Sequence, residues 1–158
     1  MKNLPRYRMC FVCGRDNAAG LDLVFHRSGD VIAADFTGDQ RHVGFPGKIH
    51  GGILSCMLDE AMWWAAVCTG KKMVQTGELN VRYYRALPPG QSVRVEARLE
   101  EDKKRYIEVS GRIVDDKGNM YARGSGKYFR LPDEEENVVL RHMYVEGDEE
   151  RVVTPDDY

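Results

Sequence analysis

From Ile53 to Val67 the chain is apolar at all but three positions, Ser55, Asp59 and Glu60. Glycines bracket the run, so the pattern predicts a helix over about Gly52 to Thr69, greasy on nearly every side and therefore buried. Upstream, LDLVFHR and DVIAADFT alternate apolar and polar residues around Ser28-Gly29, the pattern of a hairpin. Between hairpin and helix lies GDQRHVGFPGKIHGG, whose glycines and proline argue against regular structure. Downstream come MVQTGELNVRYYRAL, QSVRVEARLEED, RYIEVSGRIVDD and GNMYARGSGKYFRL, separated by the turn sequences PPGQ, DKK and DDKG. No helix-length connection divides these four, so they read as one antiparallel meander. Past Leu131 the chain turns acidic and predicts either a short helix around Val138 to Met143 or a loose tail.

One buried helix among about six strands can be satisfied only if the sheet wraps it. The expected class is therefore α+β, an antiparallel sheet curled around a central helix. The 158 residues, 42% hydrophobic, suit a single core. They divide into an N-terminal Cys-x-x-Cys segment over 1–20, a main domain over 21–131 and an acidic tail over 132–158. No apolar stretch approaches the ~18 residues of a membrane span, and MKNLPRYRMCFVCG lacks a secretory apolar core, so a cytoplasmic protein is expected. The net charge of −2 conceals an asymmetry: residues 1–132 carry a net of +6 and residues 133–158 a net of −8. A mildly basic body suits an anionic small molecule, whereas the acidic tail argues against nucleic acid.

The acids inside the helix carry the chemistry. At ~100° per residue Asp59 and Glu60 lie about 100° apart, which argues against a paired dyad. Asp59 shares its stripe with Ser55 and Ala66, leaving room for a ligand. Glu60 falls among bulky side chains and is expected in an ion pair or an interface contact. At the helix start, Gly51 and Gly52 expose unpaired N–H groups at the positive end of the dipole. Such a terminus can stabilise an oxyanion on a thioester or ester carbonyl, and a carboxylate further in can act as nucleophile or activate water. A buried structural acid is the competing reading.

Four cysteines are present: Cys10, Cys13, Cys56 and Cys68. Cys56 and Cys68 read as core residues. Zinc usually needs a second Cys-x-x-Cys or a His pair to complete the Cys10–Cys13 knuckle, and none exists. The expectation is a knuckle packed on the sheet, with no metal and no cofactor.

HGGILSCMLDEA, following a Gly/Pro loop and set between a hairpin and a meander, resembles the hotdog-fold thioesterases. The nearest group is the phenylacetate-pathway (PaaI-like) acyl-CoA thioesterases. CFVCGRDNAAGL and RHVGFPGKIHGG are similar to a subgroup of these, and the resemblance covers about residues 10–130. It implies acyl-CoA substrates and a homodimer with a continuous sheet, often paired into a homotetramer, with the active site at the dimer interface. It implies Asp59 as nucleophile or general base and the Gly51 amide as the group polarising the thioester carbonyl. His50 would position the carbonyl or the glycine turn, and Thr76 would orient water from the partner subunit. One departure stands out: some members carry Asn six residues before the His, where this chain has Gly44. His42, in the same loop, is the candidate substitute.

Gly52 at the helix mouth, and Arg82, Arg85 and Lys127 on the strands, are candidate contacts for coenzyme A; for the cations the competing reading is exposed cross-strand charge. Trp63–Trp64 reads as core and interface packing. The leading function is acyl-CoA thioester hydrolysis. Its rival is a non-catalytic acyl-CoA-binding or regulatory module, and a zinc-binding nucleic-acid module comes third.

Overall fold

The computed structural model describes residues 2–144. The apolar run forms α1 (Gly51–Gly70), one residue longer at each end than expected. His50 is its N-cap, the ring accepting from the Gly52 N–H. Lys71, in the left-handed conformation, closes the far end by donating its N–H to the Val67 carbonyl.

The chain opens with two short strands, β1 (Lys2–Asn3) and β2 (Arg6–Tyr7). β3 (His26–Ser28) and β4 (Val31–Thr37) form the anticipated hairpin. Its first arm is shorter than the alternation suggests. Asp22 has φ 50°, which breaks extension, and the backbone N–H groups of Leu21 and Leu23 bond to Phe11 and Val12 of the N-terminal segment instead. The Gly/Pro loop is more regular than its composition implies. It holds a 3₁₀ turn over Gln40–His42 and a small hairpin of β5 (Val43–Phe45) and β6 (Lys48–Ile49), turned at Gly47 with φ 71°.

After α1 come β7 (Val74–Tyr83), β8 (Ser92–Asp102), β9 (Tyr106–Val114) and β10 (Met120–Arg130). They do not form one meander. β8, β9 and β10 follow one another, but β7 pairs with β10, giving the antiparallel order β1-β3-β4-β8-β9-β10-β7. The segment between β7 and β8 crosses the helix start, where the Leu87 carbonyl receives the Ile49 N–H. β7 therefore lies at the sheet edge, and a register shift opposite Lys127/Tyr128 leaves Gly77 as an extra residue on it.

The sheet curls around α1 as expected for the hotdog architecture. The helix sits in a trough where Gly111 and Gly124, directly paired across β9 and β10, lie beneath Leu58 and Met62. A Cβ on either glycine would come within 3.0–3.1 Å of Met62, so small residues here set how deeply the helix sinks. Leu58, Met62, Val95, Ile113 and Tyr128 all have 0% exposure around this contact.

The acidic segment begins with α2 (Asp133–His142), earlier than expected, followed by β11 (Met143–Tyr144). Glu136 is fully buried and accepts from the Met73 N–H at 2.7 Å, with Lys72 3.5 Å away. This acid docks the helix beside the end of α1. β11 then pairs with β2, so the two terminal segments meet. The remainder of the expected tail lies outside the described residues. No helix among the described residues is long and apolar enough to cross a membrane.

Candidate active site

Asp59, midway along α1, faces the junction of β7 and β10. Thr76 Oγ1 donates to Asp59 Oδ1 at 2.9 Å and Tyr128 Oη donates to the same oxygen at 3.1 Å. Thr76 and Tyr128 are direct cross-strand partners because Gly77 is skipped in the ladder. Oδ2 has no hydrogen bond among the described residues and belongs to a side chain lining a cavity of about 440 Å³. Tyr128 is fully buried, and burial, then the Asp59 charge, pushes its phenol up from the ordinary range, so it remains a donor.

Sequence reasoning missed Tyr128, although its signal was present. Ala122, Gly124, Gly126 and Tyr128 alternate as the buried face of β10, and a tyrosine on an inward face needs a partner for its hydroxyl. Thr76 was expected to act from a partner subunit; here it binds Asp59 of its own chain.

The same cavity is lined by Tyr7, Cys10 and Cys13 from the N-terminal segment, Glu60 and Trp63 from α1, and Val139 and His142 from α2. The two acids, though 100° apart in projection, thus share one space. Among the described residues Glu60 makes no ion pair. Its carboxylate oxygens lie 3.8 and 3.9 Å from Cys10 Sγ, and its pKa is pushed up to about 8, first by burial and then by the Cys10 charge. Cys10 is lowered to about 6, chiefly by the hydrogen bond from Cys13, which is itself pushed up as it keeps its proton. Trp64 is core, whereas Trp63 donates Nε1–H to the Val74 carbonyl at 2.6 Å at the cavity wall.

The helix mouth forms a separate site. Gly51 lines a cavity of about 300 Å³ with Leu54, Tyr83, Arg85 and Leu87. The Gly51 N–H has no acceptor among the described residues, while Gly52 gives its N–H to His50 Nδ1 at 2.8 Å. His50 is thus a turn-fixing residue with Nδ1 as acceptor, and Gly52 is not available as a second oxyanion donor. The Gly51 carbonyl accepts from Tyr83 Oη at 3.0 Å.

Gly44 and His42 serve the same turn. A Cβ on Gly44 would fall 2.8 Å from the His50 ring, so the absent amide makes room for that ring. His42 Nδ1 accepts from the Asp39 N–H at 3.0 Å, its ring packs edge-on against Phe36, and its carbonyl holds the His50 N–H. These contacts make it part of the framework of the loop that leads into His50. Arg85 lines the Gly51 cavity, Arg82 stacks 5.1 Å over the ring of Tyr84, which also lines it, and Lys127 pairs with Glu78 at 3.0 Å.

A helix clasped by an antiparallel sheet, with a carboxylate at mid-helix and a glycine amide at its start, defines the hotdog class. Residues 46–122 match the family described as the thioesterase superfamily. The chain is 29% identical over 128 residues to acyl-coenzyme A thioesterase THEM4 of Bos taurus, covering 78% of this chain and 52% of that one. It is 33% identical over 96 residues to acyl-coenzyme A thioesterase THEM5 of Homo sapiens, covering 60% and 38%. The chain thus spans about half the length, or less, of these curated relatives. Among solved structures, a thioesterase superfamily protein superposes with a TM-score of 0.71 at 27% identity, covering 77% of this chain and 63% of that one. The E. coli PaaI protein of the phenylacetic acid degradation operon superposes at 0.65 with 17% identity, covering 71% and 81%, a likeness of fold.

Proposed function

We propose that this chain hydrolyses acyl-CoA thioesters at a site completed by a second copy of itself. The observation that carries the reading is Asp59. Two hydroxyl donors fix its Oδ1 and leave Oδ2 toward a cavity large enough for an acyl group. Oδ2 would attack the thioester carbonyl, expelling the CoA thiolate and leaving an anhydride for water to cleave, or it would take the proton of an attacking water. The donors on Oδ1 hold the carboxylate's orientation through either route.

The Gly51 N–H is the candidate oxyanion donor, and Arg85 beside it is placed for a phosphate of coenzyme A. Gly51 and Asp59 are eight residues apart on one helix, roughly 12 Å along its axis. One carbonyl cannot touch both, so the amide of one copy would serve the carboxylate of another. The outer edge of β7 supports this assembly: ten residues long and largely exposed, it is a sheet edge suited to pairing with its like.

Thiol release from short, long and aromatic acyl-CoAs, with oligomer mass measured in parallel, tests the reading. Turnover on at least one class that is lost in Asp59→Asn supports hydrolysis. Equal, background rates for both proteins, with acyl-CoA still bound, would make the chain a binding module instead.

A further inference from the structure

The thioesterase reading uses Asp59 and leaves the rest of its cavity wall unexplained. Cys10, Cys13 and Glu60 each present a ligand atom there, all within 4.8 Å of one another. We infer that these three residues bind a thiolate-preferring divalent cation of the zinc class, its fourth position open to the cavity that Asp59 lines.

The local fold is that of a ligand knuckle. The Val12 N–H points at Cys10 Sγ, 3.3 Å away, and the Gly14 N–H closes the turn on the Cys10 carbonyl at 2.9 Å. A Cβ on Gly14 would stand 2.3 Å from that carbonyl and 2.5 Å from the Arg8 carbonyl, so the turn admits only glycine. A turn this tight with an N–H···S bond holds the two sulfurs on one side. A knuckle that merely packed would not require an acid within 4.8 Å of both its thiols.

Spacing and charge agree. Zinc–sulfur bonds of ~2.3 Å and zinc–oxygen bonds of ~2.0–2.2 Å place tetrahedral ligand atoms roughly 3.5–3.8 Å apart. The Glu60 oxygens are already 3.8 and 3.9 Å from Cys10 Sγ, so an ion needs contraction of only a few tenths of an ångström on that side. No basic side chain among the described residues pairs with Glu60, which leaves a carboxylate against two thiols with no counter-charge. Two sulfurs and one oxygen favour zinc over magnesium, calcium or manganese. Binding changes no oxidation state; protons on the ligands leave to solvent as the metal–sulfur bonds form. Three protein ligands with an open fourth position is the coordination of zinc sites that keep a place for water or substrate. The ion would also tie the N-terminal segment to α1.

The test uses the full chain, stripped with a chelator and reloaded with zinc or cobalt(II) alone. Roughly one zinc per chain is expected, with thiolate-to-cobalt charge transfer and strong tetrahedral d–d absorption. Zinc should shield Cys10 and Cys13, and not Cys56, from alkylation read by mass spectrometry. Cys10→Ser/Cys13→Ser should lose the cobalt spectrum. Glu60→Gln should keep some charge transfer but bind more than about tenfold more weakly, at least the cost of disturbing a ligand's own support. Far-UV circular dichroism checks that each variant is folded; should the double variant fail to fold, wild-type shielding and Glu60→Gln decide. Substoichiometric metal, an unshielded Cys10–Cys13 pair, or a cobalt spectrum that survives in the double variant would overturn the site. None of these readouts involves thioester turnover, so the metal site and the proposed hydrolysis fail independently.

Discussion

Asp59 and Glu60 are adjacent on one helix and face one cavity, yet their surroundings differ in kind. Asp59 is met by two hydroxyls, both O–H donors to its Oδ1. Glu60 is met by the sulfurs of Cys10 and Cys13, and burial, then the Cys10 charge, raises it to about 8. On the proposed readings, the first environment orients a carboxylate for attack or proton transfer, and the second gathers three ligand atoms for a cation. What a buried acid does is set by the elements folded against it, since a shift of one residue exchanges strands β7 and β10 for the N-terminal knuckle.

Breaking the Asp59 side should produce the largest effect. Asp59→Asn keeps the shape and removes the reactive oxygen anion, and thiol release should fall by about 10²–10⁴-fold with an unchanged melting temperature. Breaking the Glu60 side through its scaffold comes next. Gly14→Ala forces a methyl against two carbonyls and should cost about 1–3 kcal/mol by denaturant unfolding, with little effect expected if the knuckle opens freely in solution. Tyr128→Phe sharpens the comparison by removing one donor from Asp59. Turnover should fall by up to about tenfold, in line with a hydrogen bond of about 0.5–1.5 kcal/mol, in kcat rather than KM. His50→Ala leaves both acids in place and loosens only the helix mouth. It should cost about 1 kcal/mol of stability as a lost N-cap. Thr76→Val should be mildest, about threefold in kcat, because the exposed hydroxyl can be replaced by water.

The elements themselves were legible because their causes are local. The run from Ile53 to Val67 could only be a buried helix, and the alternation in β8 to β10 could only be half-buried strands. Strand order was not legible, since periodicity carries no information about which edge β7 joins. The helical angle of about 100° between Asp59 and Glu60 is legible in the sequence, but it did not foresee that both acids line one cavity, because angle along one helix says nothing of what stands opposite. Glu60's thiols come from a segment some fifty residues earlier in the chain, and Tyr128 from one sixty-nine residues later. That a Cβ on Gly44 would crowd the His50 ring, six residues on, was likewise beyond what sequence pattern shows.

The surplus residue at Gly77 has a consequence for β7 as a whole. Before it, inward-facing positions are even, Val74 and Thr76; after it they are odd, Leu79, Val81 and Tyr83. One strand thereby reaches both working points of the helix, with Thr76 at Asp59 and Tyr83 at Gly51. A strand that ran straight through Gly77 without this bulge would present Glu78, Asn80 and Arg82 to the helix, and Tyr83 would turn away from Gly51.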